Sequence, residues 1–185
     1  MRIAVIGGGI NGLCSAWRLA EAGNEVTLFE RGRLMEATSS ASSKLLHGGL
    51  RYLETGQFLL VREALRERDG WIDRVPLLAR PLPIVVPVYR CSQRPRWLVG
   101  LGLKLYDLLA GQSRLPKSQA LTSQDVLALA PHLKDEGLVG GFRFFDGQMD
   151  DHRLGLWVAE QCQRSGVEIR EGVAVHSVSA AGTVR

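Results

Sequence analysis

Cysteine is scarce in this sequence, and what there is makes no pattern. Cys14, Cys91 and Cys162 are odd in number, widely spaced and without a C-x-x-C. That argues against a disulfide framework and for reduced thiols in a cytosolic setting. His47, His132, His152 and His176 lack metal-ligand spacing, so no metal centre is expected. No basic run is interleaved with aromatics, which argues against a nucleic-acid partner. The net charge of +4 and pI near 9.2 suit anionic ligands or an acidic membrane surface, but only modestly. No internal repeat is visible. The N-terminal residues enter a strand pattern at once, leaving no stretch of signal-peptide character.

What is there is an ordinary globular composition, 45% apolar and 23% charged. A chain of 185 residues can bury a core for one domain or somewhat more. Ile3 to Glu30 organises it. Ile3 to Ile6 is a short apolar run of the kind that forms a buried parallel strand. Gly7, Gly9 and Gly12 then fit G-x-G-x-x-G: a tight turn, a close backbone approach to a pyrophosphate, and close packing of helix on strand. Ala16, Leu19 and Ala20 fit the buried face of the following helix, and Gly23 fits its C-terminus. Val26 to Phe29 returns as a second strand ending on Glu30. This acid stands where ribose hydroxyls of an adenine dinucleotide are held, about 20 residues past the glycines. It would repel a 2′-phosphate, so FAD or NAD is favoured over NADP.

A serine-rich stretch, Ala37 to Lys44, follows and runs into His47-Gly48-Gly49-Leu50-Arg51-Tyr52. Hydroxyls at this density can donate to phosphate or ribose oxygens, and Gly48-Gly49 permits close approach to a flat ring. Phe58, Val61, Leu65 and Ile72 predict an amphipathic helix, with Arg62, Glu63, Arg66 and Glu67 opposite. Pro81, Pro83 and Pro87 restrict Pro81 to Tyr89 to an extended segment or edge strand. Pro95 opens a leucine-rich helix over Arg96 to Ala110, too short for the roughly 20 residues that a bilayer needs. It suits either burial against the protein or attachment to a membrane surface, with Trp97 at the interface and Arg94, Arg96 and Lys104 toward headgroups.

Thr122 to Asp125 starts a short helix that ends before Pro131. Leu138 to Phe145 predicts a strand, with Asp146-Gly147 as a turn. Asp150 or Asp151 caps a helix to Gly166, and strands are expected at Val167 to Arg170 and at Val173 to Val178. Val167 to Arg170 should be the third parallel strand of the opening sheet. The fold class is therefore α/β: a Rossmann-like sheet formed by residues 1–43 and 151–185, interrupted by an excursion over 44–150. That excursion is expected to be mostly helical and to belong to an α+β substrate domain.

Four stretches together resemble FAD-dependent glycerol-3-phosphate dehydrogenase: Ile6 to Gly12, Ala37 to Leu45, His47 to Glu54, and Asp150 to Leu154. The Ser-Ser-Lys-Leu-Leu-His-Gly-Gly-Leu-Arg-Tyr block is far more specific than the glycine motif. The resemblance is collinear along the chain, and implies oxidation of glycerol 3-phosphate to dihydroxyacetone phosphate. Electrons would pass through FAD to a membrane quinone, with the protein cytoplasmic or peripheral on the inner face. It also implies that Gly7, Gly9, Gly12 and Glu30 hold the ADP half. Thr38, Ser39, Ser40, Ser42 and Ser43 would lie along the phosphates and ribityl chain. His47, Gly48 and Gly49 would come near the isoalloxazine, with Arg51 and Tyr52 reaching the substrate.

The residue types suit the chemistry. A histidine, with a reference pKa near 6.5, can take a hydroxyl proton, although His47 could instead hydrogen-bond the flavin. An arginine fork suits a phosphate dianion. The family continues well beyond the matched region, so the chain is expected to be an N-terminal part of such an enzyme. Two other readings remain: a related FAD enzyme acting on 2-hydroxyacids or amino acids, and a nucleotide-binding remnant without turnover. The residues do not set the oligomeric state.

Overall fold

Along the chain the elements are β1 (Arg2–Ile6), α1 (Ile10–Glu21), β2 (Glu25–Glu30), β3 (Leu45–Leu46) and a 3-10 helix (Leu50–Thr55). Then come α2 (Phe58–Arg74), β4 (Ala79–Tyr89), α3 (Arg96–Ala110) and β5 (Gln119–Leu121). The chain continues with α4 (Ser123–Leu129), β6 (Leu138–Met149), α5 (Asp151–Arg164) and β7 (Glu168–Glu171). The computed structural model describes residues 1–37 and 41–179. They divide into two units, Met1–Lys44 with Asp150–Arg185, and Leu45–Met149.

The first unit is built on a parallel sheet of order β1-β2-β7. β1 and β2 pair from Arg2↔Glu25 to Ile6↔Phe29, and β2 and β7 from Thr27↔Glu168 to Glu30↔Glu171. The return of the chain to this sheet, expected from the helix–glycine–strand rhythm after Asp150, is therefore observed. Val26 and Leu28 alternate inward on β2 as period two requires, and α1 buries Leu13 and Ala16. On α5, Leu154, Val158 and Cys162 are buried. The two helices meet through the edge-on rings of Trp17 and Trp157, with centroids 5.8 Å apart. The Cys162 thiol donates to the Leu13 carbonyl at 3.2 Å, and burial pushes its pKa up to about 11. It is inert at neutral pH.

The strand expected at Val173 to Val178 does not form. Gly172, at φ +72°, turns the chain out of β7, and the Val173 N–H goes to the Glu30 carbonyl at 2.9 Å. Apolar composition alone cannot make a strand without a neighbour offering a ladder, and residues 173–177 have none among the described residues.

The second unit is antiparallel, with β6 at its centre. β4 runs along one side of β6; β3 and β5 pair with its other side. β4 is an edge strand, as its prolines require. Pro81, Pro83 and Pro87 occupy alternate positions of one set, so their missing N–H groups all point to the open edge. Val61 and Leu65 of α2, Leu103 and Tyr106 of α3, and Phe142 and Phe144 of β6 form the main core with Val88. A smaller cluster gathers Leu121, Val126 and Leu138. α4 starts with the expected capping box: the Asp125 N–H donates to Thr122 Oγ1 at 3.2 Å, and the Thr122 N–H to Asp125 Oδ2 at 2.9 Å.

The Asp146-Gly147 pair is not a turn. β6 passes straight through it to Met149, with Leu82 opposite Asp146 and Pro81 opposite Gly147 on β4. Gly147 is needed instead for close approach, because a Cβ there would lie 2.7 Å from the Leu46 carbonyl oxygen.

Candidate functional site

In the first unit, the glycine turn is held from several directions. Gly7 sits at φ +106° and donates to the Phe29 carbonyl at 2.8 Å. Gly12 has no room for a side chain, since a Cβ would run into the Gly7 carbonyl oxygen. Gly9 is the N-cap of α1 and offers no side-chain cap, and no acid lies in the first turn. The positive end of the helix dipole is therefore not offset by a side chain there, which favours an anion.

Glu30 is already engaged. Its Oε2 accepts from the Gly8 N–H at 2.6 Å and its Oε1 from the Gly32 N–H at 2.8 Å. These two bonds, Gly32 first, hold its carboxyl below the usual glutamate range against the opposing effect of burial. A carboxylate has about four acceptor sites, so these two bonds do not use up its acceptor capacity. An open cleft lined by Gly9, Glu30, Arg31, Gly32, Arg33 and Met35 lies beside it. Glycine reasoning from the motif missed two neighbours. Gly8, outside the G-x-G-x-x-G set, leaves no space for a Cβ beside the side chains of Leu34 and Glu30. Met35 is buried at φ +63°, and its N–H bonds the Gly8 carbonyl at 3.1 Å.

Glu30→Gln is accordingly expected to loosen both turn and ligand, with each charge-assisted bond lost costing about 1.5–3 kcal/mol. Because the folded pKa lies below the unfolded one, the contribution of the carboxylate is fully present above the ordinary glutamate pKa. It fades as pH falls below about 4. Dinucleotide release followed against pH checks this: a variant with the parent's acid release would remove Glu30 from the role.

Of the serine-rich segment, Thr38, Ser39 and Ser40 lie outside the described residues. Ser42 is turned to its own unit: its Oγ donates to Asp151 Oδ2 at 2.8 Å, and its N–H to the same oxygen at 3.3 Å. Lys44 Nζ stands 3.7 Å from Asp151 Oδ1. Burial opposes the charge of Asp151, but bonds from Ser42 and from the His152 N–H keep its carboxyl below the usual range. Ser43 is exposed. Asp150 caps α5 by accepting from the Arg153 N–H at 3.1 Å, so the two adjacent aspartates do different work.

In the second unit, β3 leads into the His47–Tyr52 segment. His47, Arg51 and Tyr52 are exposed, and among the described residues their side chains have no hydrogen-bond or ion-pair partner. Gly48 and Gly49 are buried. The space that Gly48 leaves is filled by Leu65 and the Tyr106 hydroxyl, and Gly49, at φ +75°, lies against the Tyr52 ring. The structure thus gives both glycines a packing reason that the motif did not suggest. Asp146, Arg68 and Tyr106, which support this segment, carried no sequence signal for that role, and Asp146 read as part of a turn. No group of three or more His, Cys, Asp or Glu side chains suited to a metal ion occurs among the described residues.

Residues 2–185 match the family model described as FAD dependent oxidoreductase. Among curated proteins, the chain is 41% identical over 174 residues to a glycerol-3-phosphate dehydrogenase of Synechocystis sp., covering 94% of this chain and 32% of that relative. It is 40% identical over 171 residues to the human mitochondrial glycerol-3-phosphate dehydrogenase, covering 89% of this chain and 23% of that relative. The chain thus spans about a third or less of these relatives. Among solved structures, the glycerol-3-phosphate dehydrogenase of Bacillus halodurans complexed with FAD superposes with a TM-score of 0.69 at 22% identity. That likeness covers 97% of this chain and 28% of the other, and it speaks for the fold alone.

Proposed function

The chain belongs to the FAD dependent oxidoreductase family, and on that premise we propose that the protein carrying it oxidises sn-glycerol 3-phosphate to dihydroxyacetone phosphate. We also assign the electrons to a membrane quinone. The observation that carries the substrate reading is the His47–Tyr52 segment, where an imidazole, a guanidinium and a phenol stand exposed, without a hydrogen-bond or ion-pair partner among the described residues, within six residues. The identity to proteins named glycerol-3-phosphate dehydrogenase supports it.

The first unit's residues fit FAD: the glycine turn brings the chain to the N-terminus of α1 with no side-chain cap and no acid in its first turn, and the Glu30 carboxylate stands beside it. Thr38, Ser39, Ser40 and Ser43 are assigned to its phosphates and ribityl chain, while Ser42 would have to share its hydroxyl with Asp151. We place the dinucleotide domain at residues 1–43 and 151–185, with 44–150 as the excursion; the division at Lys44 and Asp150 supports this. When bound, FAD would accept the hydride from C2 of the alcohol. His47 would take the hydroxyl proton, Arg51 would grip the phosphate dianion with its fork, and Tyr52 would hydrogen-bond the substrate. His47, Gly48 and Gly49 are further assigned to the isoalloxazine.

Peripheral attachment to the cytoplasmic face of a membrane is the matching location. No helix among the described residues is long and apolar enough to cross one. On α3, however, Trp97, Leu101 and Leu108 are exposed beside Lys104. Arg94 and Arg96, expected to face headgroups, instead bond Glu54 and the Leu121 carbonyl.

The test is anaerobic bleaching of bound flavin by glycerol 3-phosphate, set against glycerol, 2-hydroxyacids and amino acids. Bleaching by an amino acid or a 2-hydroxyacid alone would replace the substrate assignment. Arg51→Lys should raise KM for glycerol 3-phosphate about tenfold, the worth of one charge-assisted bond, and hardly affect glycerol. Equal losses on both would show that Arg51 serves the fold.

A further inference from the structure

β3 pairs with β6 over two residues only, Leu45↔Gln148 and Leu46↔Gly147. The next partners in that register would be His47 and Asp146, but the backbone leaves the ladder there. The acceptor that backbone pairing no longer supplies comes from a side chain. Asp146 Oδ1 accepts from the Gly48 N–H at 3.1 Å, and the Asp146 carboxylate is buried. The same oxygen accepts from Arg68 Nη1 of α2 at 3.1 Å, and Oδ2 from the Tyr106 hydroxyl of α3 at 3.2 Å.

One carboxylate on β6 therefore ties together the loop, α2 and α3. Each donor is itself fixed. Arg68 is 2% exposed and also reaches Asp69 at 2.8 Å and the Phe145 carbonyl at 3.3 Å. Burial, with the Asp146 charge adding to it, pushes the Tyr106 phenol well above its usual range, so it stays a donor. Gly48 is confined a second time, because the space where its Cβ would stand is occupied by Leu65 and the Tyr106 hydroxyl.

The residues on either side of this anchor behave oppositely. His47 precedes it and Arg51 and Tyr52 follow it, all exposed and unpartnered among the described residues. We propose that Asp146, held by Arg68 and Tyr106, is a positioning residue that sets the backbone from which His47, Arg51 and Tyr52 project. It touches no substrate. It acts by denying the loop an alternative place. The assignment rests on the reading that these three side chains serve glycerol 3-phosphate oxidation. Catalytic groups lose rate steeply with small displacements, about a hundredfold for 1 Å, so a fixture of this kind has kinetic consequences out of proportion to its stability.

The experiment compares Asp146→Asn and Tyr106→Phe with the parent. Rates of flavin reduction by glycerol 3-phosphate are measured in stopped flow and expressed per bound flavin. Loss of folded protein lowers flavin content but leaves that rate alone. Asp146→Asn should lower it about tenfold to a hundredfold. Tyr106→Phe, which keeps the ring and removes one donor, should lower it severalfold, and it carries the test if the asparagine variant does not fold. Amide exchange at Gly48, measured without flavin, should rise in both. Asp125→Ala, which breaks the α4 capping box, should lower the melting temperature and leave the per-flavin rate unchanged. Parent-like per-flavin rates in Tyr106→Phe and in any folded Asp146→Asn would overturn the proposal. A parent that is not bleached by glycerol 3-phosphate would instead overturn the substrate reading, while a rise in Gly48 exchange would still support the anchor.

Discussion

Gly12→Ala is expected to strip the protein of most of its flavin while leaving it folded. The added methyl would run into the Gly7 carbonyl oxygen, with Val5 also in contact at 3.6 Å. Gly7 cannot retreat freely, because its N–H bonds the Phe29 carbonyl at 2.8 Å and its φ of +106° is already one that suits glycine. α1 must therefore lift from β1, and the N–H groups of its first turn move with it. Overpacking of this kind costs about 1–3 kcal/mol. Since the strain falls on the cradle itself, flavin affinity should drop by about one to two powers of ten. Flavin absorbance per protein after dialysis measures it. Gly23→Ala is the control, at φ +82° with open space around its Cβ position. It should cost stability alone. Full flavin retention by Gly12→Ala would mean that helix and strand do not need this contact to bind the pyrophosphate.

Arg68→Met should produce the largest loss of stability of any single change considered. Methionine fills much of the volume of arginine, so the effect isolates the charge. What remains is Asp146, 3% exposed and left, among the described residues, with the Gly48 N–H and the Tyr106 hydroxyl. Removing one partner of a buried pair costs about 3–5 kcal/mol, because the other charge stays buried without compensation. Burial works against the Arg68 charge too, yet the neighbouring Asp69 and Asp146 carboxylates keep its pKa raised. Arg68→Met combined with Asp146→Leu should not recover the parent's stability, since the Gly48 N–H and the Tyr106 hydroxyl would then be orphaned. Urea unfolding of the single and double variants checks this. A loss below about 1 kcal/mol for Arg68→Met would place the pair among weak surface bridges.

Local signals in the chain were enough for every element whose cause is local. Ile3 to Glu30 carries its strand, turn, helix and strand in neighbouring residues, and the structure has them at Arg2–Ile6, Ile10–Glu21 and Glu25–Glu30. Pro95 and the Thr122–Asp125 box mark helix starts by backbone chemistry within one turn, and both helices begin there. The prolines of β4 announce an edge because a missing N–H is a property of the residue itself.

The candidate side chains His47, Arg51 and Tyr52 were legible in the same way, as residue types in a specific order. Their support was not. Asp146-Gly147 is a turn signal by local propensity. Its outcome was decided by a β4 partner at Leu82 and by donors 78, 40 and 98 residues away, in Arg68, Tyr106 and Gly48. The strand expected at Val173 to Val178 failed for the converse reason: no neighbouring strand offers residues 173–177 a ladder among the described residues, and Val178 makes only an isolated bridge. Propensity differences amount to about 1 kcal/mol at most per residue. A buried carboxylate with three donors, or a ladder gained or withheld, outweighs that, and neither exists until distant segments of the chain have met.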